Sequence, residues 1–389
     1  PGPRQRSRAR ETVWPDGDAA GHPLTRRPHE RPIAGLSGMS ITTLWWIRSD
    51  LRLADNAALC AAVAKSTAVV PVFIWPDKSP DGEPIGAASR CWLEASPAAL
   101  EKDLLAAGSR LIIRCGQTLT ELTRTAQECG ARAVVWNRRY EPGHLEEGTR
   151  IKKALTDLGF AVQSFQGSVL FEPFEIKNKA GLPFRVFTPF WRHCQKRQQA
   201  RELCPRPRVI PGPRNWPHSA ELRDLALTPS LPWPSRMLDH WQPGEHGAQT
   251  ALQAFAQNAA EHYAQGRDRP DKEIVSRLSP ALSFGELHPE QIRQALAGQS
   301  GEGPQAFLRQ LCWRDFARHL LFHFPDTTTA AMNARFAAFP WAHDTPEAER
   351  WRRGLTGYPL IDAGMRELWT TGWMHNRVCM NVASFLVKH

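Results

Sequence analysis

The sequence predicts an α/β unit followed by an all-α unit, and three observations carry that prediction. From Ile41 to about Gln166 short apolar runs alternate with amphipathic stretches. Beyond Gly247 apolar residues recur at three- and four-residue spacing with short polar breaks. Between the two, periodicity fades and prolines accumulate. Strands that alternate with helices imply a doubly wound, mostly parallel, Rossmann-like sheet, because a parallel neighbour needs a crossover connection.

In chain order, residues 1–38 are rich in Arg, Pro and Gly and lack a hydrophobic period. They are expected to form a disordered basic extension, with Met39 as the natural start; a DNA-binding or targeting arm carrying Arg4, Arg6, Arg8, Arg10, Arg26 and Arg27 is the alternative. Residues 39–166 should form the α/β domain, with buried strands at 43–47, 68–75, 111–114 and 133–136 and helices near 92–107, 119–129 and 145–158. A connector over 167–247 and a helical domain over 248–389 complete the expected order.

Composition narrows the class. The chain has 389 residues, 42% of them hydrophobic, enough for two cores. A net charge of +10 favours a polyanionic partner, since each Lys or Arg against a phosphate releases a counterion. Eight cysteines include no C-x-x-C pair, which suits a reducing cytoplasm and argues against a zinc ribbon. No apolar run approaches the roughly 20 residues that cross a bilayer, so a membrane role is not expected.

Three C-terminal segments carry candidate chemistry. Ser276-Arg277-Leu278-Ser279 precedes Pro280 and an apolar stretch, and read alone it is either a helix cap or a phosphate cradle. Over 307–324 one side is apolar, while Gln310 and Trp313, and Arg314 and Arg318, share faces. That pattern suits a basic-faced core helix or an indole platform for a base swung out of a duplex. In Thr371-Gly372-Trp373-Met374-His375-Asn376-Arg377, Gly372 breaks the helix and places Trp373, Asn376, Arg377 and Met380 along one or two turns, converging on a pocket or merely packing. His319 and His323 share a face but lack the Glu of a metalloprotease motif, so no metal is expected.

The order of these segments, with Gly357-Tyr358-Pro359-Leu360-Ile361-Asp362-Ala363 between the second and third and Ile47-Arg48-Ser49-Asp50-Leu51-Arg52 near the start, resembles the DNA photolyase/cryptochrome family, especially bacterial cyclobutane-dimer photolyases. The resemblance implies an N-terminal antenna domain and a C-terminal FAD-binding domain. It implies FAD contacts at Tyr263, Val275, Ser276, Arg277, Leu278, Ser279, Phe307, Gln310, Arg314, Trp373 and Asn376. It implies DNA contacts at Arg267, Gln310, Trp313, Arg314, Asn376, Arg377 and Met380. Gln310 and Trp341 would be catalytic, the latter as the outermost tryptophan of an electron-transfer chain, although a core or surface role reads equally well from its position.

The implied activity is light-driven repair of DNA containing pyrimidine dimers, by a monomeric carbon–carbon lyase that passes an electron from excited reduced FAD to a flipped-out lesion. A cryptochrome-type receptor and a non-enzymatic DNA-binding remnant are the alternatives. A second antenna pigment, folate or deazaflavin, is also implied, though Gly143 and His144 do not match the folate pattern. Three positions depart from the family: Val275 replaces a threonine, Gln310 a glutamate, and Cys379 an arginine. The family also continues past the run matching 383–389, so the chain is expected to be C-terminally incomplete and weakly active or inactive.

Overall fold

The computed structural model of the chain describes residues 41–197, 201–342 and 345–388. The predicted basic extension, 1–38, lies outside the described residues. Five strands, β1 (Thr42–Ile47), β2 (Ala68–Trp75), β3 (Ile112–Cys115), β4 (Ala133–Asn137) and β5 (Ala161–Phe165), form one sheet in the order β3-β2-β1-β4-β5. Every pairing is parallel. Helices α1 (Ala57–Lys65), α2 (Ala87–Ala106), α3 (Thr118–Cys129) and α4 (Pro142–Asp157) make the crossovers.

Alternation along the strands sends side chains to opposite faces. Trp45, Ile47, Val69, Phe73, Ile113 and Val135 meet α1 and α2 residues on one face. Leu44, Trp46, Val70, Val72, Val134 and Trp136 meet α3 and α4 residues on the other. Two of these elements were not expected. α1 is alanine-rich, with Ala57, Ala58, Leu59, Ala61 and Ala62 all buried, so it has no polar stripe for periodicity to reveal. Its start is fixed by Asn56, whose Oδ1 accepts from the Leu59 N–H at 3.1 Å. β5 is a half-buried edge strand containing Gln163 and Ser164, and only its pairing with β4 identifies it.

Helices continue as α5 (Phe187–Arg197), α6 (Trp233–Leu238), α7 (Glu245–Asn258), α8 (Tyr263–Gly266), α9 (Ser279–Ser283), α10 (Pro289–Ala295), α11 (Glu302–His323), α12 (Pro346–Arg352), α13 (Pro359–Thr371) and α14 (Asn376–Lys388). The stretch expected as a connector therefore contains regular structure. α5 lays Phe187, Phe190 and Cys194 against Cys312 and Phe316 of α11, and so belongs to the helical core.

The two units meet along a polar seam. Arg52 is fully buried and donates to the carbonyls of Gly285 (2.8 Å), Asp55 (3.0 Å) and Gly167 (3.0 Å). The Glu245 carboxylate accepts from the N–H groups of Leu53 and Ala54 at 2.8 and 2.9 Å. Gly285 has φ +69° and no room for a side chain, since a Cβ there would lie 2.0 Å from the Ser49 carbonyl oxygen. Gly285→Ala is therefore expected to lower the unfolding free energy by about 2–4 kcal/mol, through strain and overpacking together, as read from urea denaturation.

Candidate flavin and DNA site

Tyr263 opens α8 and is buried edge-on against Phe307 at 5.0 Å and Phe255 at 5.8 Å. Burial raises its phenol above the ordinary tyrosine range, so it stays protonated at neutral pH. These three rings pack together as one buried aromatic corner. From it the chain runs to Arg267, whose guanidinium lies 5.7 Å from the Tyr263 ring centre.

Arg277 takes a left-handed backbone conformation at φ +51°. Its exposed side chain reaches across to Trp373, with the guanidinium 4.8 Å from the indole centre. The first and third predicted segments, far apart in sequence, therefore touch. Leu278 is buried beneath them, whereas Val275 and Ser276 are half-buried and Ser279 is exposed. The Ser276 hydroxyl accepts from the Leu278 N–H at 3.3 Å, which leaves its own O–H to donate.

At the start of α14, Arg377 pairs with Asp268 at 2.6 Å, and Arg267 lies 3.5 Å from the same carboxylate. The Arg377 hydrogen bond is the leading cause that holds Asp268 below the usual aspartate range. Asn376 and Arg377 both direct N–H groups at the Met380 sulfur, each at 3.9 Å. Asn376, Arg377, Met380 and Arg267 thus form one partly exposed patch.

On α11, Trp313 is 44% exposed and stacks face to face on Phe187, with centres 3.6 Å apart and planes 10° from parallel. Sequence reasoning did not find Phe187 as its partner, because stacking between helices leaves no spacing signal. Gln310, one turn earlier, donates from Nε2 to the Ala306 carbonyl at 3.1 Å, leaving its amide oxygen as an acceptor.

The Arg314 guanidinium donates to the carbonyls of Ser168 (2.5 Å) and of Leu282 (3.0 Å), near the end of α9. A buried cation needs acceptors, and helix-end carbonyls are unsatisfied by their own helix. Burial, followed by the neighbouring Arg318 cation, brings its pKa down to about 9, so it stays charged at neutral pH. Trp341 lies in an exposed stretch over 328–342, with the Phe339 ring centre at 4.5 Å. His319, expected not to bind metal, accepts from the Phe184 N–H at 3.1 Å through Nε2 and meets the Pro173 carbonyl through Nδ1 at 3.3 Å.

Asp315 was not singled out from the sequence. Its Oδ2 accepts from the N–H groups of Leu170 (2.7 Å) and Phe171 (3.1 Å), pinning the chain that leaves the sheet. Burial pushes its pKa from 3.8 up to about 6, against the opposing pull of Arg314. Protonation is thus favoured in the folded state, and this group's contribution is greatest below the unfolded pKa and is lost as pH rises through the folded value. The stability difference between wild type and Asp315→Asn should shift against wild type by up to about 3 kcal/mol between pH 4 and pH 7, as measured by urea unfolding at each pH.

The residues present suit a bound flavin dinucleotide. Hydroxyls at Ser276 and Ser279 beside Arg277 match a pyrophosphate, and Trp373, Asn376, Tyr263 and Phe307 offer aromatic and amide surface to rings. One buried donor lacks a partner there. His375 Nδ1 accepts from the Arg377 N–H at 3.2 Å, so Nε2 carries the proton, and it meets no acceptor among the described residues.

A separate cavity of about 450 Å³ opens at the C-terminal ends of β2 and β3, lined in part by Lys78, Gln117, Thr118, Glu146, Glu147 and Arg150. Ligands of open parallel sheets bind along this edge. Gly143 lines it too, with its N–H donating to Asp81 at 2.8 Å.

Comparison with known proteins agrees with this architecture. The family model of DNA photolyase matches residues 43–209, and that of the FAD binding domain of DNA photolyase matches 307–389. FAD is thus the cofactor of the helical unit. The chain is 42% identical over 349 residues to a deoxyribodipyrimidine photo-lyase of Agrobacterium fabrum, covering 88% of this chain and 72% of the relative. It is 36% identical to Cryptochrome-2 of Arabidopsis thaliana, covering 90% of this chain and 60% of that relative. A class III photolyase structure from Agrobacterium tumefaciens superposes with a TM-score of 0.87 at 41% identity, over 92% of this chain and 74% of that one. On the fold and these matches, the chain belongs to the DNA photolyase/cryptochrome family.

Proposed function

We propose that this protein serves light-driven repair of cyclobutane pyrimidine dimers in DNA, acting as a cytoplasmic monomer. The observation that carries the proposal is Trp313: one indole face rests on Phe187 while 44% of the residue remains open to solvent. A rigid, half-exposed aromatic plane is what a base extruded from a duplex requires. Bound FAD, when reduced and excited by light, would supply the electron that splits the dimer.

The chain's own groups then have separable tasks. Trp313 stacks the extruded dimer, and Phe187 keeps the indole from turning away. Gln310 offers an amide to the pyrimidine edge but, unlike a carboxylic acid, has no proton to share. Arg267, Arg377 and Asn376 meet the DNA backbone, with Met380 as an apolar contact. Ser276, Arg277 and Ser279 hold the cofactor's pyrophosphate, while Tyr263, Phe307, Trp373 and Asn376 exclude water from its rings. The cavity at the sheet edge accommodates a second pigment, a folate or a deazaflavin.

A cryptochrome-type receptor is the second reading, favoured by Gln310 in place of an acid and by the likeness to a plant cryptochrome. Irradiated oligonucleotide incubated with the flavin-loaded protein separates the two. Loss of dimers under blue light but not in darkness supports repair; flavin photoreduction with unchanged dimers supports the receptor. A colourless protein with salt-sensitive DNA affinity would mark a DNA-binding remnant.

A further inference from the structure

Cys60 on α1 and Cys204, which follows α5, come together at the junction of the sheet unit and the helical unit. Their thiols hydrogen-bond each other, and neither is in a disulfide. Backbone contacts hold the pair in register. The Asp55 N–H donates to the Cys204 carbonyl at 2.9 Å, and the Cys204 N–H to Asp55 Oδ1 at 3.1 Å. The Cys60 sulfur lies 3.7 Å from the carbonyl of Pro205, the residue after Cys204. Next to them Arg201 grips Asp55 through two bonds of 2.6 Å, and its carbonyl accepts from Gln294 Nε2 of α10 at 2.6 Å.

The pair is chemically unequal. Hydrogen bonding from Cys60 pulls the Cys204 thiol below its ordinary value, with Arg201 and Arg52 adding to the effect while burial and Asp55 oppose it. The same bond, with burial, pushes Cys60 up. Cys204, with the cations Arg201 and Arg52 beside it, is assigned as the nucleophile and Cys60 as the resolving thiol. Cys204 is buried at 2% exposed, and its neighbour Cys60 is only half-buried, the more open side of the pair.

We propose that Cys60 and Cys204 are a redox pair which hydrogen peroxide closes into a disulfide, clamping residues 201–206 to α1 and with them the seam between the two units, and which a dithiol reopens. The Cys204 thiolate attacks one peroxide oxygen, the O–O bond breaks, and hydroxide leaves to become water, giving a sulfenic acid. The Cys60 sulfur then attacks that sulfur, the S–O bond breaks, and a second water departs with the Cys60 proton. Two thiols lose two electrons and one peroxide gains them.

The test treats the purified full chain with peroxide, blocks remaining thiols with N-ethylmaleimide, and maps peptides by mass. A Cys60–Cys204 cross-linked peptide, a mass lower by two hydrogens and a raised thermal midpoint, all reversed by dithiothreitol, are expected. In Cys60→Ser the cross-link and the midpoint rise should vanish, and a sulfenic acid at Cys204 should be trapped by dimedone. The idea is overturned if both cysteines stay alkylated at peroxide levels that already oxidise the exposed Cys115 and Cys379, or if the midpoint rises equally in Cys60→Ser. The wild-type map decides alone where the variant does not fold, and no step depends on flavin or light.

Discussion

Asp55→Ala is expected to lower the unfolding free energy by about 3–4 kcal/mol, the cost of leaving a largely buried cation without its partner. Asp55 is 1% exposed in its side chain, and its two oxygens take both terminal nitrogens of Arg201 at 2.6 Å. His288 is another neighbour, 3.3 Å away, but it is not the counterion. Its Nδ1 accepts from the Glu290 N–H at 3.1 Å, and burial with the cations Arg52, Arg201 and Arg314 holds it neutral, well below the ordinary histidine range. Alanine also inherits a left-handed backbone, φ +50°, which adds to the loss. Asp55→Asn tolerates that conformation and keeps one acceptor, so it should lose less. The exposed pair Lys153–Asp157 is the control: Asp157→Ala should change stability by under about 1 kcal/mol. Equal losses at the two sites in urea titrations would refute the assignment of the seam.

Trp313→Ala is expected to weaken binding of dimer-containing DNA by about 1–3 kcal/mol, roughly 5- to 150-fold, while affecting undamaged duplex far less. A stacking surface contributes only when a base leaves the duplex, whereas phosphate contacts act on any sequence. Arg377→Ala should do the opposite, weakening both DNAs alike and flattening the salt dependence. Trp313→Phe should recover part of the lesion preference. Because Trp313 is nearly half exposed, circular dichroism should show the fold retained. An unchanged ratio of damaged to undamaged affinity in Trp313→Ala would remove the indole from the site.

How far the sequence disclosed this structure follows from where its signals are local. β1 to β4 are apolar runs bounded by polar breaks, and each stands where periodicity placed it. α1 hides because it is buried on nearly every side, and β5 because an edge strand can carry Gln163 and Ser164. α5 reads as connector in the sequence, since Arg192, Lys196 and Arg197 obscure the apolar trio Phe187, Phe190 and Cys194. At the site, Gln310 and Trp313, or Asn376 and Met380, follow from helical spacing. Contacts between segments do not. Neither Phe187 under Trp313, nor Asp268 between two arginines, nor the turn of Arg314 toward Ser168 and Leu282 has any signature in one chain.

Repair requires that the helical unit hold reduced FAD beside an extruded pyrimidine dimer. The most direct test counts dimers in an irradiated oligonucleotide before and after blue light, with the chain and reduced FAD present and Trp313→Ala run in parallel. Dimer loss that needs both light and flavin, and that falls in Trp313→Ala, is the predicted result. Flavin bound in full with the dimer count unchanged by light would contradict it.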